Sequence, residues 1–252
     1  MLAVDGITMR FGGITALDDV GFAVEQGTAV GLIGPNGAGK TTLFNCLTRR
    51  CTPNAGTVRY EGQDLLSLPP HAVARQGIAR TFQNLGLFQH LTVRENVLVG
   101  AHHRGRAGYV DAALRLPRVR REEARLRSRA EELLRRLDLA DIADHPASGL
   151  PFGTLKRVEL ARALAVEPRL LLLDEPVNGL SHGEVEVFAD LVRAVRQDFD
   201  LTLVVVEHHM GFVMGLCDRV VCLDFGRKIA DGPPEQVQRD PAVIEAYLGA
   251  AA

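Results

Sequence analysis

Lysine is nearly absent from this sequence. Of 29 basic residues only Lys40, Lys156 and Lys228 are lysines, so a lysine inside a glycine-rich stretch stands out. An excess of charge of either sign is also missing. The 29 basic residues face 31 acidic ones, for a formal net charge of −2. No global field draws the chain to nucleic acid or an anionic membrane, and no nucleic-acid partner is expected. Long apolar runs are lacking: "LTLVVV" is far short of the roughly 20 residues a membrane-spanning helix needs. The start "MLAVDGITMRFGG" has no basic segment followed by an apolar core, so no signal peptide is expected. A membrane role would come through a partner. Cysteine is sparse, with Cys46, Cys51, Cys217 and Cys222 and no CxxC pair. Reduced, buried thiols are the expectation. A zinc site of Cys217 and Cys222 with His208 or His209 lacks the tetrahedral spacing and is not expected. Repeats, low-complexity tracts and Ser/Gly linkers do not occur.

What is present fits an ordinary globular chain. The 252 residues are 46% hydrophobic and 24% charged, enough for a substantial core in one or two domains. Short strands are expected at Leu2–Met9 and Val20–Val24. "TAVGLI", Thr28 to Ile33, is a continuous apolar run suited to a strand buried on both faces. A helix over "TTLFNCL", a strand over "GTVRYEG" and a short strand at Ile78–Thr81 follow. From about Leu91 to Ala147 the composition becomes Arg-, Glu- and Leu-rich. Leu126, Ala130, Leu133, Leu134 and Leu137 form one apolar helical stripe, and the charges of "RREEARLRSRAEELLRR" read as its solvated face. Beyond it the expectations are a helix from about Thr154 to Val166 stopping near Pro168, a strand at Leu170–Leu173, a helix over Ser181–Arg196 and a strand at Leu201–Val206. Val220–Asp224 and Lys228–Ala230 pair around Gly226, and "PAVIEAYLG" reads as a final helix. Alternating strands and helices imply a mostly parallel sheet. The fold class is therefore α/β with an inserted α-helical subdomain.

Two motifs carry chemistry. "GPNGAGKT", Gly34 to Thr41, fits G-x-x-x-x-G-K-[ST] after a buried strand and before a helix, the context that phosphate loop requires. Gly34, Asn36, Gly37, Ala38, Gly39, Lys40, Thr41 and Thr42 are the candidate nucleotide-binding residues. The glycines let backbone amides turn inward beside the helix N-terminus, Lys40 can reach the β- and γ-phosphates, and the Thr41 hydroxyl can ligate Mg²⁺. In "LLLLDE", Asp174 ends a buried strand and can hold Mg²⁺ through water. Glu175 can orient and deprotonate an attacking water. ATP and Mg²⁺ are the expected cofactors. "DFG", Asp224 to Gly226, mimics a kinase metal motif, but no H-R-D loop or V-A-I-K strand accompanies it, so it reads as a hairpin turn.

The order of the remaining parts resembles, over essentially the whole chain, the P-loop ATPase of ABC transporters. Gln83 lies in a loop after a strand, "LPFGT" (Leu150 to Thr154) opens the helix before the acidic strand, and His208 follows "LTLVVVE". The resemblance implies a mostly parallel core with an antiparallel β subdomain. It spans a single 1–252 unit: α/β core at about 1–83 and 167–238, helical subdomain at about 84–166, and tail helix at 239–252. It implies that Gln83 senses Mg²⁺ and the catalytic water while touching a membrane partner, that His208 contacts the γ-phosphate, and that His209 and Gln89 are bystanders. Phe11 stands where an aromatic stacks on adenine, with a core position as the alternative. It further implies a head-to-tail dimer in which Gly153 faces the partner subunit's ATP in trans. "LPFGT" departs from the usual L-S-G-G-Q: Pro151 replaces a serine, Phe152 a glycine and Thr154 a glutamine, and proline offers no N–H. Ser181 in "NGLS" stands where aspartate is usual.

"GIARTFQNLGLFQHLTVRENVLVG", "VVEHHMGFVM" and "GPPEQVQRDPAVIEAYLGA" narrow the resemblance to the ATPases of branched-chain amino-acid importers, a branch that also holds importers of urea and short amides. The implied catalytic set is Glu175, His208 and Gln83, with Thr41, Gln83 and Asp174 at the metal. The implied partners are two transmembrane permease subunits, a second similar ATPase in a heterodimer (or a homodimer), and, indirectly, a periplasmic or extracellular solute-binding protein. The implied place is the cytoplasmic face of the bacterial inner membrane, as a peripheral subunit. A weakly hydrolysing regulatory cassette is the alternative that the altered signature and Ser181 raise.

Overall fold

The computed structural model describes residues 1–81, 85–101 and 117–249; Gln83 lies outside them. Two sheets organise the described chain. The first is antiparallel, in the order β2-β1-β4-β5: β1 Leu2–Phe11, β2 Ile14–Val24, β4 Ala55–Tyr60 and β5 Gln63–Asp64. The second has the order β10-β9-β3-β8-β7-β6: β3 Ala29–Ile33, β6 Ile78–Arg80, β7 Leu170–Asp174, β8 Thr202–Val206, β9 Arg219–Asp224 and β10 Arg227–Gly232. The β6-β7, β7-β8, β8-β3 and β3-β9 pairs are parallel, and β10 closes against β9 antiparallel.

The continuous apolar runs occupy the centre of the second sheet because both faces are covered. Along β7, Leu171 and Leu173 enter one core while Leu170 and Leu172 enter the other; Leu203 and Val205 alternate with Val204 and Val206 along β8 in the same way. The core between the sheets surrounds helix α1 (Lys40–Leu47), whose Leu43, Phe44 and Leu47 are buried. The opposite core lies under α2 (Val93–Ala101), α3 (Pro117–Arg136), α4 (Phe152–Leu164), α5 (His182–Asp198) and α6 (Met210–Leu216). Helices α7 (Pro234–Gln238) and α8 (Pro241–Gly249) end the described chain.

The stripe on α3 packs as its spacing predicts: Ala130, Leu133, Leu134 and Leu137 are buried and Leu126 packs against them. Its charged face is not wholly solvated. Arg94 of α2 pairs with Glu131 at 3.2 Å, Arg129 lies 4.7 Å over the Phe199 ring, and Arg136 pairs with Asp198 of α5. Two expectations move. Strand β2 begins at Ile14, six residues before the expected start at Val20, pairing Phe11 with Ile14 across a tight turn in which Gly12 has φ 56°. Helix α4 begins at Phe152 instead of Thr154, because Pro151, at φ −54° and ψ 147°, already serves as its N-cap. Proline loses nothing there, since the first-turn amides have no intrahelical partner.

Candidate functional site

The phosphate loop leaves β3 at Gly34 and enters α1 at Lys40. Asn36 and Gly37 are exposed, whereas Ala38 is buried. Gly37 and Gly39 have φ 82° and 101°, left-handed values that suit glycine. Gly39 is also crowded: a side-chain carbon there would stand 2.6 Å from the Ala16 carbonyl of β2. The loop is braced from the β9–β10 turn. The Gly226 N–H donates to the Ala38 carbonyl at 3.1 Å, and the Asp18 N–H donates to the Gly226 carbonyl at 2.8 Å. "DFG" is thus a turn, as expected, and one that supports the loop.

Lys40 is buried, and its ammonium donates to the Gly34 and Pro35 carbonyls at 2.6 and 2.9 Å. Burial pushes its pKa below the usual lysine value, opposed chiefly by the Glu175 carboxylate. A cation desolvated inside a loop of turned-in amides, at a helix N-terminus, gains by exchanging those carbonyls for phosphate oxygens. The loop therefore fits a nucleotide phosphate chain. Thr41 is exposed and Thr42 partly buried at the same helix start.

Asp174 ends β7 with its side chain almost wholly buried, and Arg80 donates to its Oδ2 at 2.7 Å. Arg80 also donates to Asn45 Oδ1 at 2.8 Å and Thr48 Oγ1 at 3.2 Å, and its guanidinium lies 5.5 Å from the centre of the Phe44 ring. One arginine thus joins the acidic strand end to α1, the helix the phosphate loop opens. The Asp174 N–H donates to Thr81 Oγ1 at 3.0 Å. Among the described residues nothing bonds Asp174 Oδ1, which can meet a metal or its water, so the donor set fits Mg²⁺, a hard cation that favours oxygen ligands. Glu175 follows at φ 48°. Its N–H donates to the Val206 carbonyl at 2.9 Å, and its Oε2 accepts from Asn178 Nδ2 at 3.2 Å. That strained turn lifts the carboxylate out of the strand.

Glu207 is a buried carboxylate that the sequence reading missed. Its oxygens accept from the Val177 N–H at 3.0 Å, the His208 N–H at 2.9 Å and the His209 N–H at 3.1 Å. It binds the loop after Glu175 to the turn carrying His208. The His208 side chain is 58% exposed, open to a ligand. His209 caps α6, its Nδ1 accepting from the Phe212 N–H at 3.2 Å, a local structural job. Phe11 is 52% exposed at the end of β1, which sets aside the core alternative. Gln83 lies outside the described residues. The segment after it is held by Arg162 of α4, which donates to the Leu85 and Gly86 carbonyls at 3.0 and 2.5 Å.

At the start of α4 the Leu155 N–H is bonded to the Pro151 carbonyl at 3.0 Å, and no side chain caps the turn. The amides of Phe152, Gly153 and Thr154 form a helix N-terminus suited to an anion. Phe152 leans on the Asn178–Ser181 loop, close against Gly179, and Lys156 Nζ lies 5.6 Å from the centre of its ring. Gly153 is where Glu184 approaches: a side-chain carbon there would stand 2.9 Å from Glu184 Oε1. Ser181 caps α5 in a capping box with Glu184. Among the described residues no cluster of His, Cys, Asp and Glu could hold a metal, and burial pushes the Cys217 and Cys222 thiols up to about 12. No described helix is long and apolar enough to cross a membrane.

Three comparisons bear on this arrangement. The ABC transporter family model matches residues 17–178, and the model for the branched-chain amino acid ATP-binding cassette transporter matches residues 227–252. The high-affinity branched-chain amino acid transport ATP-binding protein BraF of Pseudomonas aeruginosa is 41% identical over 251 residues, covering 100% of this chain and 98% of its own. The ADP conformation of MJ1267, an ATP-binding cassette of an ABC transporter, superposes with a TM-score of 0.85 at 30% identity, covering 99% of this chain and 98% of that one. A dimeric structure of MJ0796, a bacterial ABC transporter cassette, superposes with a TM-score of 0.78 at 26% identity over 93% of this chain and 99% of that one.

Proposed function

This chain belongs to the ABC transporter family of ATP-binding cassettes, and we propose that its ATP hydrolysis drives import of branched-chain amino acids. Members of the family are nucleotide-binding ATPases coupled to transport, associated with membrane subunits. The observation that carries the substrate is the full-length likeness to BraF, joined by the match of the tail to the branched-chain cassette model. The same likeness supports a peripheral place on the cytoplasmic face of the inner membrane. It also supports two permease partners with a second similar ATPase in a heterodimer, and a solute-binding protein acting through them.

On this reading the residues take the following roles. The amides from Gly34 to Thr42 cradle the phosphates, Lys40 trades its loop carbonyls for β- and γ-oxygens, and Phe11 offers its exposed ring to adenine. Thr41 and Asp174, with Gln83, hold Mg²⁺, which supplies neutralisation of phosphate charge. Glu175 takes the proton of the attacking water, and His208 holds the γ-phosphate. The amides around Gly153 face the ATP of the partner subunit. Residues 84–166 act as the helical subdomain that moves against the permeases, and residues 239–252 as the tail.

Single-turnover hydrolysis by the assembled complex tests the catalytic assignment. Glu175→Gln is expected to bind ATP as the parent does and to lose hydrolysis by about a hundredfold or more, as loss of a general base implies. Turnover at the parent rate would remove Glu175 from its role.

A further inference from the structure

The phosphate loop is held at its first residue by a side chain from the far end of the chain. The Gly34 N–H donates to the Tyr247 hydroxyl of α8 at 3.0 Å. Across the same α-carbon, the Gly34 carbonyl accepts from Lys40 Nζ at 2.6 Å. Gly34 is buried with φ 143°, a value that favours glycine, and any side chain there would run into the Leu223 carbonyl of β9. The residue that turns β3 into the loop is therefore fixed in shape and clamped on both sides. One of the two clamps must open when Lys40 turns to a phosphate.

The tyrosine is well seated for this task. Val243 and Tyr247 line an apolar cleft with Ile33, Met210 and Val237, so α8 forms one wall of a cleft whose other walls include the end of β3 and the helix that follows His208. Burial raises the Tyr247 pKa, which keeps the phenol neutral. We propose that Tyr247 is a positioning residue for ATP binding, whose hydroxyl keeps the Gly34 amide paired while Lys40 exchanges loop carbonyls for phosphate oxygens. Without that hydroxyl a buried N–H loses its partner, the loop relaxes, and ATP must restore its shape at a cost in affinity. The proposal rests on the reading of Gly34–Thr42 as the ATP site.

The test is calorimetric titration of Mg-ATP into the full-length chain, with Tyr247→Phe, Glu245→Ala and Lys40→Ala beside it. Tyr247→Phe keeps the ring in the cleft and removes only the hydroxyl. Its Kd for ATP is expected to rise by about 5- to 10-fold. In the assembled transporter KM should rise by a similar factor with kcat unchanged, the pattern of lost uniform binding. Glu245→Ala, exposed on the same helix and outside the cleft, should bind as the parent does. Tyr247→Phe binding within about twofold of the parent, or lowering kcat at constant KM, overturns the proposal. Lys40→Ala binding ATP normally would instead sink the ATP-site reading itself. A second measurement needs no variant: the Gly34 amide should stay protected from hydrogen exchange with and without ATP. Exposure of that amide on ATP binding would also overturn the proposal.

Discussion

Arg80 donates to the carboxylate of Asp174 at 2.7 Å, with their side chains only 9% and 3% exposed. The same guanidinium reaches Asn45 and Thr48 of α1, so the acidic strand end and the phosphate-loop helix share one buried cation. Removing one partner of a buried pair leaves the other charge uncompensated, at a cost of about 3–5 kcal/mol. Arg80→Met is therefore expected to destabilise the chain by roughly that amount in urea unfolding. Arg80→Lys, which keeps the charge and loses the fork, should cost less. Equal, small effects from both would show the pair to be incidental.

Glu207 is expected to behave as an organiser of the catalytic loops. Glutamine at that position offers one acceptor and one donor where three backbone N–H groups converge. Glu207→Gln should lose about 1–3 kcal/mol of stability in denaturant melts. It should also slow hydrolysis in the complex, since Val177 and His208 lose their common anchor. Full stability together with full hydrolysis would contradict this account.

The Ser181–Glu184 box gives a pH dependence. The Ser181 hydroxyl and backbone N–H hold the Glu184 pKa below its usual 4.5. A depressed carboxylate pKa adds stability that is fully present above the unfolded value and lost as pH falls through the folded one. The box should thus support α5 at neutral pH and fade below about pH 4.5. Ser181→Ala is expected to lower Tm by about 2–4 °C at pH 7, with the gap to the parent closing in acid. A gap that persisted unchanged at low pH would show that Glu184 is not part of the cap.

How much of this was legible in the sequence depended on how local the cause is. Strands β3, β7 and β8 were readable because burial on both faces writes a continuous apolar run. The α3 stripe was readable from its period. The early start of β2 is hidden by the polar Asp18 and Asp19, which lie at a register shift between the Leu17–Met9 and Val20–Ile7 pairs. The start of α4 was misplaced because Pro151 looks like a breaker and serves as a cap. Arg80, Glu207 and Tyr247 went unread because their partners, Asp174, Val177 and Gly34, are brought to them by the fold. Ser181 was read as a departure from aspartate, and only the structure shows it capping α5.

Gly153 offers a test of the turn that opens α4. A side chain there would meet Glu184 Oε1 at 2.9 Å and force the Glu184 carboxylate to shift, and the N-terminal amides are proposed to serve the partner subunit's ATP. Gly153→Asp should leave ATP binding by the isolated chain unchanged, because its own phosphate loop is untouched. In the assembled complex hydrolysis should fall by at least about tenfold, from crowding and from a negative charge at an anion-binding helix end. Undiminished hydrolysis would exclude this turn from the composite site.

Uptake of labelled leucine, isoleucine, valine and urea by the native cells tests the central claim most directly, comparing the parent protein with Glu175→Gln at equal expression. Loss of uptake of all three branched-chain amino acids, with urea uptake unchanged, is the predicted result. Branched-chain uptake at the parent level in cells carrying Glu175→Gln, or a loss confined to urea, would contradict it.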